Sequence, residues 1–152
     1  MSKAEIVQII TGLVGTTGFA LLFNIRGKRL AATAFGGFLS WLLFILFSRA
    51  IENEVINYFF VAAIVSLYAE IMARILKTPT TTFITASLVP LIPGASLYYT
   101  MSAAFKGSQD LFFEKAFHTL QLGGALALGI IVITAVVNLI NKGIFGRNKQ
   151  LT

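Results

Sequence analysis

Cysteine is absent from the 152 residues. Disulfides and thiolate metal sites are therefore excluded, and the redox compartment cannot be read from cysteine usage. Histidine occurs once, at position 118, so triads and histidine-based metal clusters lack their parts. No nucleophile–base set and no glycine-rich phosphate loop is present, which argues against an enzyme and against direct nucleotide use. Charge is scarce as well: charged residues make up 12% of the chain, about half the share of a soluble domain.

What fills the space is apolar. Hydrophobic residues account for 57% of the sequence and the mean hydropathy is +0.84, values that belong to an integral membrane protein. Alternating apolar and polar strands of a barrel are missing, so the expectation is all-α. Five apolar segments reach the length that a bilayer core requires: approximately 6–23, 30–47, 55–76, 80–105 and 116–140. The joints between them are short and polar, which predicts one transmembrane module over 1–152. Lys3 precedes an apolar run without a small-residue cleavage site, so the first segment reads as a retained span rather than a signal peptide.

The net charge of +6 does not gather into a patch with exposed aromatics, and nucleic acid is not expected as a partner. Instead the basic residues divide between two sides. Arg26, Lys28, Arg29, Arg74, Lys77, Lys142, Arg147 and Lys149 fall on one, and Lys3, Arg49, Lys106 and Lys115 on the other. The richer side is expected in the cytoplasm, which puts the amino terminus outside and the carboxyl terminus inside.

The fourth segment holds the sequence's strongest interruption, Pro90-Leu-Ile-Pro93-Gly94. Prolines at 90 and 93 cannot donate to the carbonyls of Ala86 and Val89, so two carbonyls are expected to be freed at mid-depth. Gly94 is expected to take backbone angles closed to other residues and let the chain unwind. Half-helices over 80–89 and 94–105 would then meet at a break that must face an interior or a wetted recess. The amides of Gly94, Ala95 and Ser96, with the hydroxyls of Tyr98 and Tyr99 nearby, would suit a carboxylate at a helix start. A proline kink that shapes packing alone fits the same residues, and both readings stay open.

Glu70 and Arg74 lie one turn apart in the third segment and are placed to pair. An ionisable residue within a span marks a pathway or a proton site, although neutralisation of Arg74 is the simpler use of Glu70. Small residues recur at Gly12, Gly15 and Gly18, at Gly36, Gly37 and Ser40, and at Gly123, Gly124 and Ala127. These read as helix-packing seams. Their partner is open: the same chain, a second copy in a homo-oligomer, or another subunit. His118 and Trp41 read as packing residues, and Asp110 to Phe117 as a stretch lying along the interface.

The combination Glu70-x-x-x-Arg74, Lys77-Thr-Pro79 and Pro90-Leu-Ile-Pro-Gly94-x-x-x-Tyr98 resembles the signature of the threonine/serine exporter family in its small-subunit form. The resemblance implies a secondary exporter of the bacterial inner membrane without a cofactor. In it this chain corresponds to the carboxyl-terminal half of longer single-chain members, and a separate, larger multi-span subunit supplies the rest. It also implies a small carboxylate-bearing solute, either an amino acid such as threonine or serine or a dicarboxylate such as succinate. An odd number of spans agrees with an inverted-repeat partner. The family carries over no residue-level binding site.

Overall fold

A computed structural model describes residues 3–148, with side chains described for 3–141. Its elements are α1 (Lys3–Leu22), α2 (Lys28–Ser48), α3 (Glu54–Ile75), α4 (Thr80–Ser87), a 3-10 turn (Val89–Leu91), α5 (Gly94–Phe105) and α6 (Gln109–Asn148). No strand occurs among the described residues. Four helices are each long and apolar enough to cross a membrane, and α4 with α5, bent by 43° at the break, has the length and composition of a fifth when taken as one. The all-α reading with an interrupted fourth span is what the backbone adopts.

Local sequence explains where these helices stop. Asn53 caps α3, its side-chain oxygen accepting the N–H groups of Val55 at 3.0 Å and Ile56 at 3.3 Å, which satisfies two donors that a helix start leaves open. At the other ends α1, α3 and α5 close alike. Asn24, Lys77 and Gly107 turn left-handed at φ 59°, 48° and 71°, and the following N–H reaches back to Ala20, Ala73 and Ala103 at 2.9, 3.0 and 3.3 Å. This closure satisfies the last carbonyls and reverses the chain. Glycine takes the left-handed turn freely at 107, whereas Lys77 adopts it against a side-chain clash.

The helices form a row, α1 against α2, α2 against α3 and α3 against α6, with α4 lying across α2 and α3. The main core joins Tyr58, Val61 and Val65 of α3 to Leu88 and Leu91 at the break and to Leu122 and Ala125 of α6. Ion pairs mark one end of the row: Arg49 to Glu5 at 2.7 Å and His118 to Glu54 at 3.4 Å. At the opposite end Arg74 donates to Asn141 at 3.0 Å. Of the basic residues counted above, Lys142, Arg147 and Lys149 lie outside the described side chains.

Close approach rests on fewer glycines than the sequence pattern implies. A side chain at Gly37 would meet Thr16, one at Gly36 would meet Ser87 and Tyr68, and one at Gly12 would touch Trp41. Gly15, Gly18, Gly123 and Gly124 have open space around them, so the expected seam at 123, 124 and 127 is not where α6 meets its neighbour. Gly129 is that contact. A Cβ there would stand 2.7 Å from the Phe59 carbonyl oxygen and 2.9 Å from the Ala62 Cβ. The residues from Asp110 to Phe117 form the first turns of α6.

Candidate functional site

The interruption is built by proline geometry, not by glycine freedom. Pro90 sits inside the 3-10 turn, where the N–H of Leu91 reaches the Leu88 oxygen at 2.9 Å and that of Ile92 reaches the Val89 oxygen at 3.2 Å. Pro93, at φ −74° and ψ 58°, is the centre of an inverse γ-turn, closed by the Gly94 N–H on the Ile92 oxygen at 2.6 Å. Gly94 is then an ordinary first helical residue and is not among the positive-φ positions. Of the two carbonyls expected to be freed, that of Val89 accepts the Ile92 N–H, while the γ-turn bond goes to Ile92 and not to Ala86. What stays open are the N–H groups of Ala95 and Ser96, since Pro93 gives α5 no side-chain cap.

Pro90 itself lies a few ångström short of mid-depth. Pro90 borders Gly12 and Trp41, which are nine and seven residues from the ends of α1 and α2 that carry Glu5 and Arg49. Helical rise converts this to about 10–13 Å below that end. Leu88 and Leu91 turn into the core, whereas Ile92, Gly94, Ala95, Leu97 and Tyr98 are exposed on the outside of the chain. A recess of about 210 Å³ lined by Gln8, Thr11, Gly12, Trp41 and Pro90 adjoins the inner side of the turn. The indole N–H of Trp41 is buried there without a hydrogen-bond partner.

Ser96 does not point outward with its amide. Its hydroxyl lies 2.7 Å from that of Thr119 on α6, which lies 3.0 Å from that of Thr100. These three hydroxyls fasten α5 to α6, the main helical surface on which α5 rests. Tyr98 is 69% exposed, with its ring against that of Tyr99 at 5.6 Å. Neither tyrosine hydroxyl makes a hydrogen bond among the described residues.

Glu70 and Arg74 form the second part. Their spacing allows a pair, but Arg74 turns to Asn141, and Glu70 makes no hydrogen bond or ion pair among the described residues. Phe59 and Ala63 face Gly129, and Arg74 faces Asn141. Ser66 and Glu70, at intervening helical steps, lie along the same α3–α6 seam. The Ser66 hydroxyl is fully buried and unpartnered, and Glu70 is half-buried. Helical rise puts Glu70 about 8 Å from the Arg74 end of the span, so the break and Glu70 differ in depth by about 10 Å. The structure leaves them as two groups, both leaning on α6.

The family model for the threonine/serine exporter, ThrE, matches residues 8–136. The chain belongs to the threonine/serine exporter family. No curated protein and no solved structure matches it. The family is one of transporters, and the long apolar helices make this chain a multi-pass membrane protein. The matched region contains Glu70, Arg74, the break and Thr119 alike.

Two features of the exporter chain escape a linear reading. Thr119 is an unremarked threonine until α5 folds back on α6, and its nearest signal is the spacing of Ser96 and Thr100 on one helix face. The Asn141 partner of Arg74 is 67 residues away, and no local pattern announces it.

Proposed function

We propose that this chain is one subunit of a secondary-active exporter of small carboxylate-bearing metabolites, either threonine- and serine-like amino acids or dicarboxylates such as succinate. It works with a larger multi-span subunit in a bacterial inner membrane, with the amino terminus outside and the carboxyl terminus in the cytoplasm. The solute carboxylate meets the start of α5, where the free amides of Ala95 and Ser96 carry the positive end of the helix dipole. Tyr98 flanks that end. Pro90 and Pro93 hold the bend, and Gly94 leaves the approach open because nothing lies within 4 Å of where its side chain would be.

Glu70 serves as the second polar station. A carboxylate within a span that has no basic partner is costly to keep in lipid, and proton or solute passage accounts for its retention better than charge neutralisation does. Arg74 anchors the seam from which Glu70 projects. The observation that carries the reading is the outward exposure of the interrupted backbone. In a bilayer, such a segment needs cover from water or another protein surface, and a partner subunit with the solute between supplies it.

A second reading is favoured by the hydroxyl bond of Ser96 to Thr119: α5 is a docking arm, and the partner alone holds the solute. Photo-crosslinking a solute analogue separates the two. Adducts at residues 94–98 support direct contact, and adducts confined to the partner assign this chain to assembly. Export of threonine and of succinate, measured with each subunit deleted in turn, tests the exporter itself. Unchanged export without this chain ends the proposal.

A further inference from the structure

A groove of about 400 Å³ runs between α3 and α6 on the face away from α5, lined by Val55, Ile56, Phe59, Gly124, Ala125 and Leu128. It is apolar apart from Gln121 near its upper end. Gly124 opens it: a Cβ at that position would meet nothing within 4 Å. Leu128 lies ten residues along α6 from His118, about 15 Å of helix, which is the hydrocarbon depth of a single leaflet.

The mouth is charged. His118 pairs with Glu54 at 3.4 Å, and Lys115 pairs with Glu114 at 3.3 Å one turn further out, all four side chains being partly exposed. Positions 115, 118, 121, 125 and 128 fall on one face of α6, so this double pair stands directly over the groove. At headgroup level this sets one cation, Lys115, an imidazole that can donate an N–H, and two carboxylates, a set that complements a zwitterion with one charge of each sign.

We infer that the α3–α6 groove seats one zwitterionic phospholipid of the leaflet on the His118 side. Its acyl chain fills the groove, its phosphate lies on His118 and Lys115, and its primary ammonium lies on Glu54 and Glu114. Bulk lipid is as apolar as the groove wall, so the hydrophobic effect supplies no preference here. Selectivity comes from pairing with the headgroup charges, to which a lysine at the surface contributes a factor of about five, and from contact atoms that would otherwise face a gap.

The test uses the full chain in phosphatidylcholine vesicles doped with a phosphatidylethanolamine analogue carrying a photoreactive group in its acyl chain. Adducts are expected on Ile56, Phe59 and Leu128. Gly124→Leu fills the groove and lowers them to the level found on Val7 and Val14 of α1. Gly123→Leu adds the same side chain one position away, where space is also open, and leaves them unchanged, which controls for folding. Lys115→Ala lowers the groove adducts about fivefold, His118→Ala lowers them as well, and a phosphatidylglycerol analogue labels less than the ethanolamine one. Equal behaviour of the two leucine variants overturns the proposal. So does adduct formation spread evenly over α1, α3 and α6, or loss of groove labelling in native membranes, which assigns the groove to a protein partner.

Discussion

Replacing Gly129 by alanine is the sharpest test of how α3 and α6 are held together. The new Cβ would stand 2.7 Å from the Phe59 oxygen, 2.9 Å from the Ala62 Cβ and 3.0 Å from the Ala63 nitrogen, where ordinary contact begins at 3.4 Å. Two of the three neighbours are backbone atoms, which no rotamer change can move, so the helices must separate along the seam that carries Glu70. Overpacking of this kind costs about 1–3 kcal/mol, offset by up to about 1 kcal/mol from the better helix propensity of alanine. At Gly124 the same change meets open space, and only the gain of up to about 1 kcal/mol applies. The propensity gain is common to both variants, so Gly129→Ala is expected to be less stable than Gly124→Ala by the overpacking cost, about 1–3 kcal/mol. In thermal unfolding of the purified chain in detergent, that gap corresponds to about 2–12 °C in Tm. Equal Tm values, or a Gly129→Ala protein at least as stable as Gly124→Ala, would refute the seam as described.

Lys77→Gly relieves the left-handed turn that closes α3 and raises stability by about 1 kcal/mol, while Lys77→Val, whose branched Cβ resists φ 48°, lowers it; chemical unfolding of the three proteins checks the order. A double-mutant cycle between Arg74→Ala and Asn141→Ala gives a coupling of about 1 kcal/mol, whereas the cycle between Glu70→Gln and Arg74→Ala gives almost none, and the opposite ranking would restore the pair that sequence spacing suggests. Glu70→Gln, at unchanged expression, lowers export and alters its dependence on external pH, and an unaltered rate and profile removes Glu70 from the pathway.

The spans were legible because apolar length and polar joints are properties of contiguous sequence. Each of the five expected segments coincides with a helix or with the bent α4–α5 pair. The position of the interruption was legible for the same reason, since proline removes a donor wherever it stands. Its mechanism was not. Whether a freed carbonyl stays free depends on bonds that the next residues make, and here the Ile92 N–H reclaims that of Val89 through a tight turn. Gly94 therefore needs no unusual backbone angle.

Rotation of a helix about its axis hides from a linear reading in the same way. Gly123, Gly124 and Gly129 look alike in α6, but only Gly129 is in close contact with α3, while Gly124 borders the open groove beside it. Spacing makes Glu70 and Arg74 neighbours, yet spacing says nothing of Asn141, which reaches Arg74 only because α3 and α6 run side by side. The candidate site was thus readable as a set of residues and unreadable as a geometry. Five of its members surround the break, and the other two lie about 10 Å away in depth.

Cysteine scanning of residues 86–96 tests the central claim most directly, because the chain has no native cysteine to compete for label. In native membranes containing the exporter, cysteines at 92, 94 and 95 should react with a membrane-impermeant maleimide, and those at 88 and 91 should not. Added threonine or succinate should slow the reaction at 94 and 95. Silence toward the aqueous reagent at every position, with a lipid-soluble reagent reacting at helical period across the whole stretch, would show an uninterrupted helix facing acyl chains and contradict the account.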